Sequence, residues 1–305
     1  MAKRDDWRQD AIAASNLSEL ELTLGEVAGA VGDAAQSVTY ADRSGDAFLR
    51  MGFRTAHADA LHQAGRRAEA ETRFREAEKM QQERQPAYPL LYSLWGFRYC
   101  DLLLAAPERA AWQRTLGRAG SPLPAAERPT RMDTSRRAED CAPYLEQCRA
   151  VSQRAATALE IVLNGSRNLL DIALNHLTLG RAALYEAILE GSRRREEADG
   201  PAATPAVRLV TSAATFDTAR RELDAAVSGL RRAGTTHHIP RALLTRAWLR
   251  YLTGACTGPE SAQEDLDTAW EIASRGPMRL FLADIHLTRC RLFGTPGRRS
   301  QEPGD

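Results

Sequence analysis

Six histidines and five cysteines are the side chains best suited to metal or nucleophilic chemistry, and their spacing argues against both. His57 and His62 stand five residues apart, about 140° around a helix, so they cannot share a face as a metal-binding helical pair does. His176 and His286 each fall on the first helix of a predicted hairpin, where partial burial and a hydrogen bond are expected. His237 and His238 precede Ile239-Pro240 and read as ordinary residues of an inter-helix turn. Cys141 and Cys148 would share a helix face, but no two further ligands lie near them. With an odd total and no CxxC spacing, the cysteines read as free thiols packed as small hydrophobes. Carboxylate pairs such as Asp5-Asp6, Glu139-Asp140 and Glu196-Glu197 sit in charged, loop-like stretches and read as solvated surface. Gly25, Gly29 and Gly32 do not make GxGxxG, and neither lysine (Lys3, Lys79) follows a glycine, so no phosphate-binding GK loop exists. A helical-bundle centre built from His57, Asp59, His62 and Arg98 is the one constellation that could be assembled. No catalytic, cofactor-binding or metal residue is therefore assigned.

The elements that would position such residues are helical. The 305 residues include 52 Ala and 39 Arg against two Lys, and a chain rich in these helix formers and poor in Ile and aromatics favours an all-α fold. Lys plus Arg is 41 and Asp plus Glu is 40, a net charge of +1. That balance argues against a dedicated nucleic-acid or polybasic membrane binder. No apolar run approaches a transmembrane length and the start does not resemble a signal peptide, so a soluble, cytoplasmic protein is expected.

An internal repeat organises the chain. Gly65 is followed by Ala70, Phe74 and Ala77, small and large apolar residues at spacings of four and three that define one helical face. Forty residues earlier stand Gly25, Ala30, Ala34 and Ser37. Ala219, Leu223 and Ala226 are echoed 43 residues on by Ala262, Leu266 and Ala269, where ELDAAV (222–227) answers DLDTAW (265–270). Ala58 and Ala247 each precede a glycine by seven residues, and Gly96 and Gly180 mark points of close helix approach. A period near 40 built from two helices is a helical-hairpin repeat.

The prolines mark the breaks. Pro86, Pro89, Pro107, Pro143, Pro240, Pro259 and Pro277 fall between helices or in first turns. Asp46 caps a helix and Asn164-Gly165-Ser166 is a turn. Helix pairs are expected at 7–41, 45–83, 89–116 with 140–163, 168–190 with 215–233, and 240–275, with a last helix at 278–292. Two insertions, about 118–139 and 191–214, read as loop or disorder, and a tail over 294–305 as unstructured. The body, 1–293, reads as a single domain.

Gly65, Ala70, Phe74 and Ala77, with Ala58 and Leu61 before them, resemble the tetratricopeptide repeat, although Arg67 replaces an apolar residue and the period exceeds 34. NLSELELTLGEV (16–27), RSGDAF (43–48), ADALHQAGR (58–66), YPLLYSLWGFRYCDLLL (88–104), DIALNHLTLGRAALY (171–185) and GPMRLFLADIHLTRCRLFG (276–294) look like segments of bacterial domains of this type. Those domains are found with signalling NTPases of the NACHT type or with Toll/interleukin-receptor-like domains. The resemblance implies a right-handed solenoid of about five to six degenerate hairpins. It implies a non-enzymatic scaffold or sensor that binds a protein or peptide on its concave face, with no nucleic acid, membrane or cofactor. The alternative is a regulatory domain sensing a small molecule or peptide, detached from a larger signalling NTPase.

In that frame the concave face is lined by set positions of each first helix. These are Thr55, Asp59, His62 and Gln63, then Ser93, Phe97 and Asp101, then Arg181 and Tyr185, then Arg241, Trp248 and Tyr251. Aromatic and arginine side chains are what an interface hot spot uses, contact area with a polar handle.

Overall fold

The structure is a computed structural model that describes residues 2–119, 141–198 and 207–294. Among these are eleven α-helices, one 3-10 turn at Thr236–His238, and no strand. In chain order the helices are α1 (Ala2–Leu24), α2 (Val27–Ser44), α3 (Ala47–Gln63), α4 (Arg67–Arg84), α5 (Ser93–Ala119) and α6 (Ala142–Asn164). They continue as α7 (Leu169–Ala198), α8 (Val207–Ala233), α9 (Ile239–Leu252), α10 (Ala262–Arg275) and α11 (Arg279–Phe293). None is long and apolar enough to cross a membrane.

The turns follow local chemistry. Gly65, at φ +76°, closes the α3–α4 turn in a left-handed conformation that a side chain would strain. The Asp46 carboxylate accepts from the Phe48 and Leu49 amides at 2.9 and 3.1 Å and so starts α3. Ser261 does the same for α10 by accepting from Glu264 at 3.2 Å. Pro143 and Pro240 occupy first turns, where the missing N–H costs little.

Two expectations are corrected. Pro107 lies inside α5 and is buried rather than marking a break; it removes the donor that would reach the Leu103 carbonyl, and packing carries the helix through. The second insertion is helical wherever it is described, because α7 runs to Ala198 and α8 begins at Val207. Its Arg, Glu and Ala are good helix formers, so charge alone misdirects the reading. Residues 120–140, 199–206 and 295–305, which hold most of the first insertion and of the tail, lie outside the described residues.

The small–large–small face is the core. Ala70, Phe74 and Ala77 on α4, Ala219, Leu223 and Ala226 on α8, and Ala262, Leu266 and Ala269 on α10 are all at most 1% exposed. Burying one such Leu or Phe contributes about 1.5–3 kcal/mol, and the flanking alanines let the partner helix come close. Approach is close between α7 and α8, where a Cβ on Gly180 would stand 2.7 Å from Leu223 and one on Gly229 2.8 Å from Ala173.

From α1 to α10, each even-numbered helix packs on the odd-numbered helix before it. The odd-numbered helices also touch one another in order: α1 on α3, α3 on α5, α5 on α7, α7 on α9 and α9 on α11. The cycle then closes, because α11 rests on α1. At that seam Arg279 Nη1 meets Glu26 at 3.2 Å, and the Arg279 Cβ leaves only 3.0 Å for a Cβ on Gly25.

Candidate functional site: a chamber enclosed by the odd-numbered helices

The cycle surrounds two adjoining lobes of about 420 and 170 Å³ that are partly open to solvent. The larger is lined from α1, α3, α5, the 3-10 turn, α9 and α11, and the smaller from α3, α5, α7, α9 and α11. Gln63, Asp101, Arg241, Phe281 and Asp284 belong to both and form the wall they share.

Asp101 is the hub. Its carboxylate is 7% exposed and accepts from Arg181 Nη1 at 2.6 Å, from Arg241 Nη1, and lies 3.8 Å from His62 Nε2. Burial alone would raise its pKa, but the Arg241 and Arg181 charges outweigh it and hold the group well below the usual carboxylate range. Arg181 reaches Glu108 at 2.8 Å and donates from Nε to the Tyr185 hydroxyl at 3.1 Å, and that hydroxyl donates to Glu108 at 2.9 Å. On the far wall Arg98 holds Glu19 at 2.5 Å and Asp59 at 3.4 Å, tying α1 and α3 to α5.

Aromatic contacts complete the lining. Trp112 and Trp248 stack with centroids 3.6 Å apart and planes 7° from parallel, with Tyr185 tilted against Trp248 at 5.6 Å. The Arg291 guanidinium lies 4.8 Å over the Trp112 ring. His238 meets Phe97 edge-on at 5.8 Å. Burial, reinforced by His237, Arg241 and Arg98, pushes the His238 pKa down to about 3, so the ring is neutral at physiological pH.

Two chamber charges differ from the rest. Asp284 and Arg291, both on α11, have no ion-pair partner within 4.0 Å among the described residues. Asp284 is open to the chamber's solvent yet walled in by protein; this desolvation, with Glu108 and Asp101 nearby, raises its carboxyl against the pull of Arg241 and Arg291. Enclosure likewise lowers the Arg291 guanidinium, against the attraction of Glu108 and Asp284. Neither is paired at contact distance among the described residues, although each attracts the other across the chamber.

Of the residues placed on the concave face by the repeat frame, Asp59, His62, Gln63, Phe97, Asp101, Arg181, Tyr185, Arg241 and Trp248 line the chamber. Three lie elsewhere. Thr55 is fully buried with its hydroxyl on the Gly52 carbonyl at 2.6 Å. Tyr251 seals α9 against Phe293 edge-on at 5.4 Å. Ser93 donates to Asp171 at 2.9 Å and fastens α5 to α7. The histidine readings also shift. His237 and His238 line the larger lobe instead of an ordinary turn, because the 3-10 turn tips inward beside Phe97. His176 bonds Glu222 at 2.7 Å, whereas His286 is exposed, edge-on to Trp270 at 4.8 Å. His57 feels Arg73 and Arg66 of the α3–α4 side and is absent from both lobes, so the constellation of His57, Asp59, His62 and Arg98 is not assembled.

The repeat frame missed Glu19 and Leu20 on α1, Glu108 and Trp112 on α5, and Phe281, Asp284 and Arg291 on α11. Glu108 and Trp112 continue the Phe97–Asp101 face at +7 and +11 from Asp101, a legible signal. Membership of α1 and α11 in one site depends on the closure. Among the described residues no group of His, Cys, Asp and Glu could hold a metal ion. The buried Cys100 and Cys148 thiols are pushed up by burial to about 11 and 12, which suits packing rather than nucleophilic attack. No family model, curated protein or solved structure matches the chain.

Proposed function

We propose that this chain is a tetratricopeptide-like array of helical hairpins that acts as a binding module and sensor, without catalysis of its own, taking a short peptide into the chamber. What carries the reading is that the inner faces of the odd-numbered helices surround two adjoining, partly open lobes. A folded partner would need an open surface of about 800 Å² on each side. Lobes of this size suit a ligand of a few residues, with apolar wall and a small number of placed charges.

The chamber favours holding over turnover. Glu19, Asp59, Asp101 and Glu108 each lie within 3.4 Å of an arginine nitrogen, which fixes their position and occupies them. Sensing follows from position. A ligand touching Leu20 on α1 and Phe281 on α11 bridges the two ends of the closed cycle, and binding to the native state alone raises its stability.

The test is affinity selection from a synthetic pool of tri- to octapeptides, comparing wild type with Leu20→Trp, and reading the retained species by mass spectrometry. Leu20 is 54% exposed and lines the larger lobe, so the bulkier side chain fills the chamber without disturbing the core. The expected result is a discrete set of peptides retained intact by wild type and lost by a variant with an unchanged circular-dichroism spectrum. Retention indifferent to Leu20→Trp would place binding elsewhere, and recovery of cleaved peptide would make the chain an enzyme.

A further inference from the structure

The two chamber charges that lack a contact partner among the described residues lie on one helix. Asp284 and Arg291 are seven residues apart on α11, two turns, so they project from nearly the same face with Cα atoms about 10.5 Å apart. Between them on that face stands Leu287, 46% exposed, an apolar side chain turned to open space. Asp284 lies in the wall shared by the lobes, while Arg291 lines the smaller lobe only, its guanidinium resting on Trp112.

The remaining charges do not offer themselves to a ligand. Arg98, Arg181 and Arg241 already hold carboxylates at hydrogen-bonding or ion-pairing distance. An anionic ligand such as a nucleotide would have to displace one of those carboxylates or rest on Arg291 alone. A simple amine would satisfy Asp284 and leave Arg291 uncovered. Both charges are answered together by a molecule carrying an ammonium and a carboxylate separated by about the 10.5 Å that divides the two Cα atoms, with an apolar middle. An extended peptide advances about 3.3–3.6 Å per residue, which makes that molecule about three residues long.

We infer that the chamber binds an unmodified tripeptide end to end, its N-terminal ammonium on Asp284 and its C-terminal carboxylate on Arg291, with Leu287 beneath its middle. This rests on the peptide-binding reading above and specifies its ligand. The first side chain then enters the larger lobe, against Leu20, Leu280 and Phe281, so a large apolar first residue is favoured. The charge-assisted contacts at each end fix both polarity and length, because a dipeptide reaches only one charge and a pentapeptide must bulge.

The experiment is isothermal titration calorimetry on the intact chain with Leu-Ala, Leu-Ala-Ala and Leu-Ala-Ala-Ala-Ala, and with N-acetylated and C-amidated Leu-Ala-Ala. Free Leu-Ala-Ala is expected to bind tightest, with each cap weakening it at least tenfold. Asp284→Asn should abolish the penalty of N-acetylation while keeping that of amidation, and Arg291→Gln should do the reverse. Each comparison is made between two ligands on one variant, so a uniform loss of stability cannot imitate it. Equal binding of capped and free peptides, or no optimum in length, would overturn the end-to-end reading and leave peptide binding intact. Failure to bind these probes, while longer peptides are retained in a Leu20→Trp-sensitive way, would also overturn it. Failure of every peptide would overturn both readings.

Discussion

Asp101 shows how a single residue holds the chamber together. It is buried, and it balances Arg181 from α7 and Arg241 from α9 at once. Removing a partner from a buried ion pair strands the other charge, a cost of about 3–5 kcal/mol. Asp101→Ala strands Arg241, while Arg181 keeps Glu108, so urea unfolding should show a loss of about that size, whereas Asp284→Asn, which breaks no ion pair, should stay within about 0.5 kcal/mol of wild type. Equal effects would mean that the hub is not structural. Much of this cluster was legible: Asp101, Arg181, Tyr185 and Arg241 follow from the repeat frame. Thr55 was misplaced because a frame assigns a face and not the small tilt that turns the hydroxyl back to Gly52. Glu108 and Trp112 escaped because the repeat frame assigns no position beyond Asp101 on this helix, although the helix runs on and carries the same face further.

At the scale of the element, the hairpins are set by how closely their helices approach. Gly180 and Gly229 are the closest points between α7 and α8, each facing a side chain of the other helix. Gly180→Val forces the pair apart at Leu223, and overpacking of this kind costs about 1–3 kcal/mol. A thermal melt should show the loss in Gly180→Val and its partial recovery in Gly180→Val/Leu223→Ala; a variant as stable as wild type would contradict the close approach. Helix positions were readable because each buried face repeats with small and large residues at helical spacing, as in Ala70, Phe74 and Ala77. The stretch around 191–198 was read as loop because its charge hides its helix propensity, and no apolar face there announces a helix.

At the scale of the whole molecule, the contact of α11 with α1 brings the odd-numbered helices round a chamber. The seam between α1 and α11 is thin, marked by the exposed Arg279–Glu26 pair and the close approach of Arg279 to Gly25. Exposed pairs of this sort contribute at most about 1 kcal/mol. Nothing in the repeat pattern predicts the closure, since it joins residues 253 positions apart through few contacts. That is why Leu20 and Asp284 were not recognised as parts of one site. A ligand spanning them adds contacts where the fold has few, which is how occupancy would be felt at both ends of the chain.

Photo-cross-linking tests the central claim most directly: a retained peptide carrying a diazirine is irradiated on the protein, and the labelled residues are mapped by mass spectrometry. The account predicts adducts on the chamber faces of α1, α5 and α11, around Leu20, Phe97 and Leu287, suppressed by excess unlabelled peptide and lost in Leu20→Trp. Adducts on the outer faces of α2, α4 or α8, with the chamber unlabelled, would contradict it.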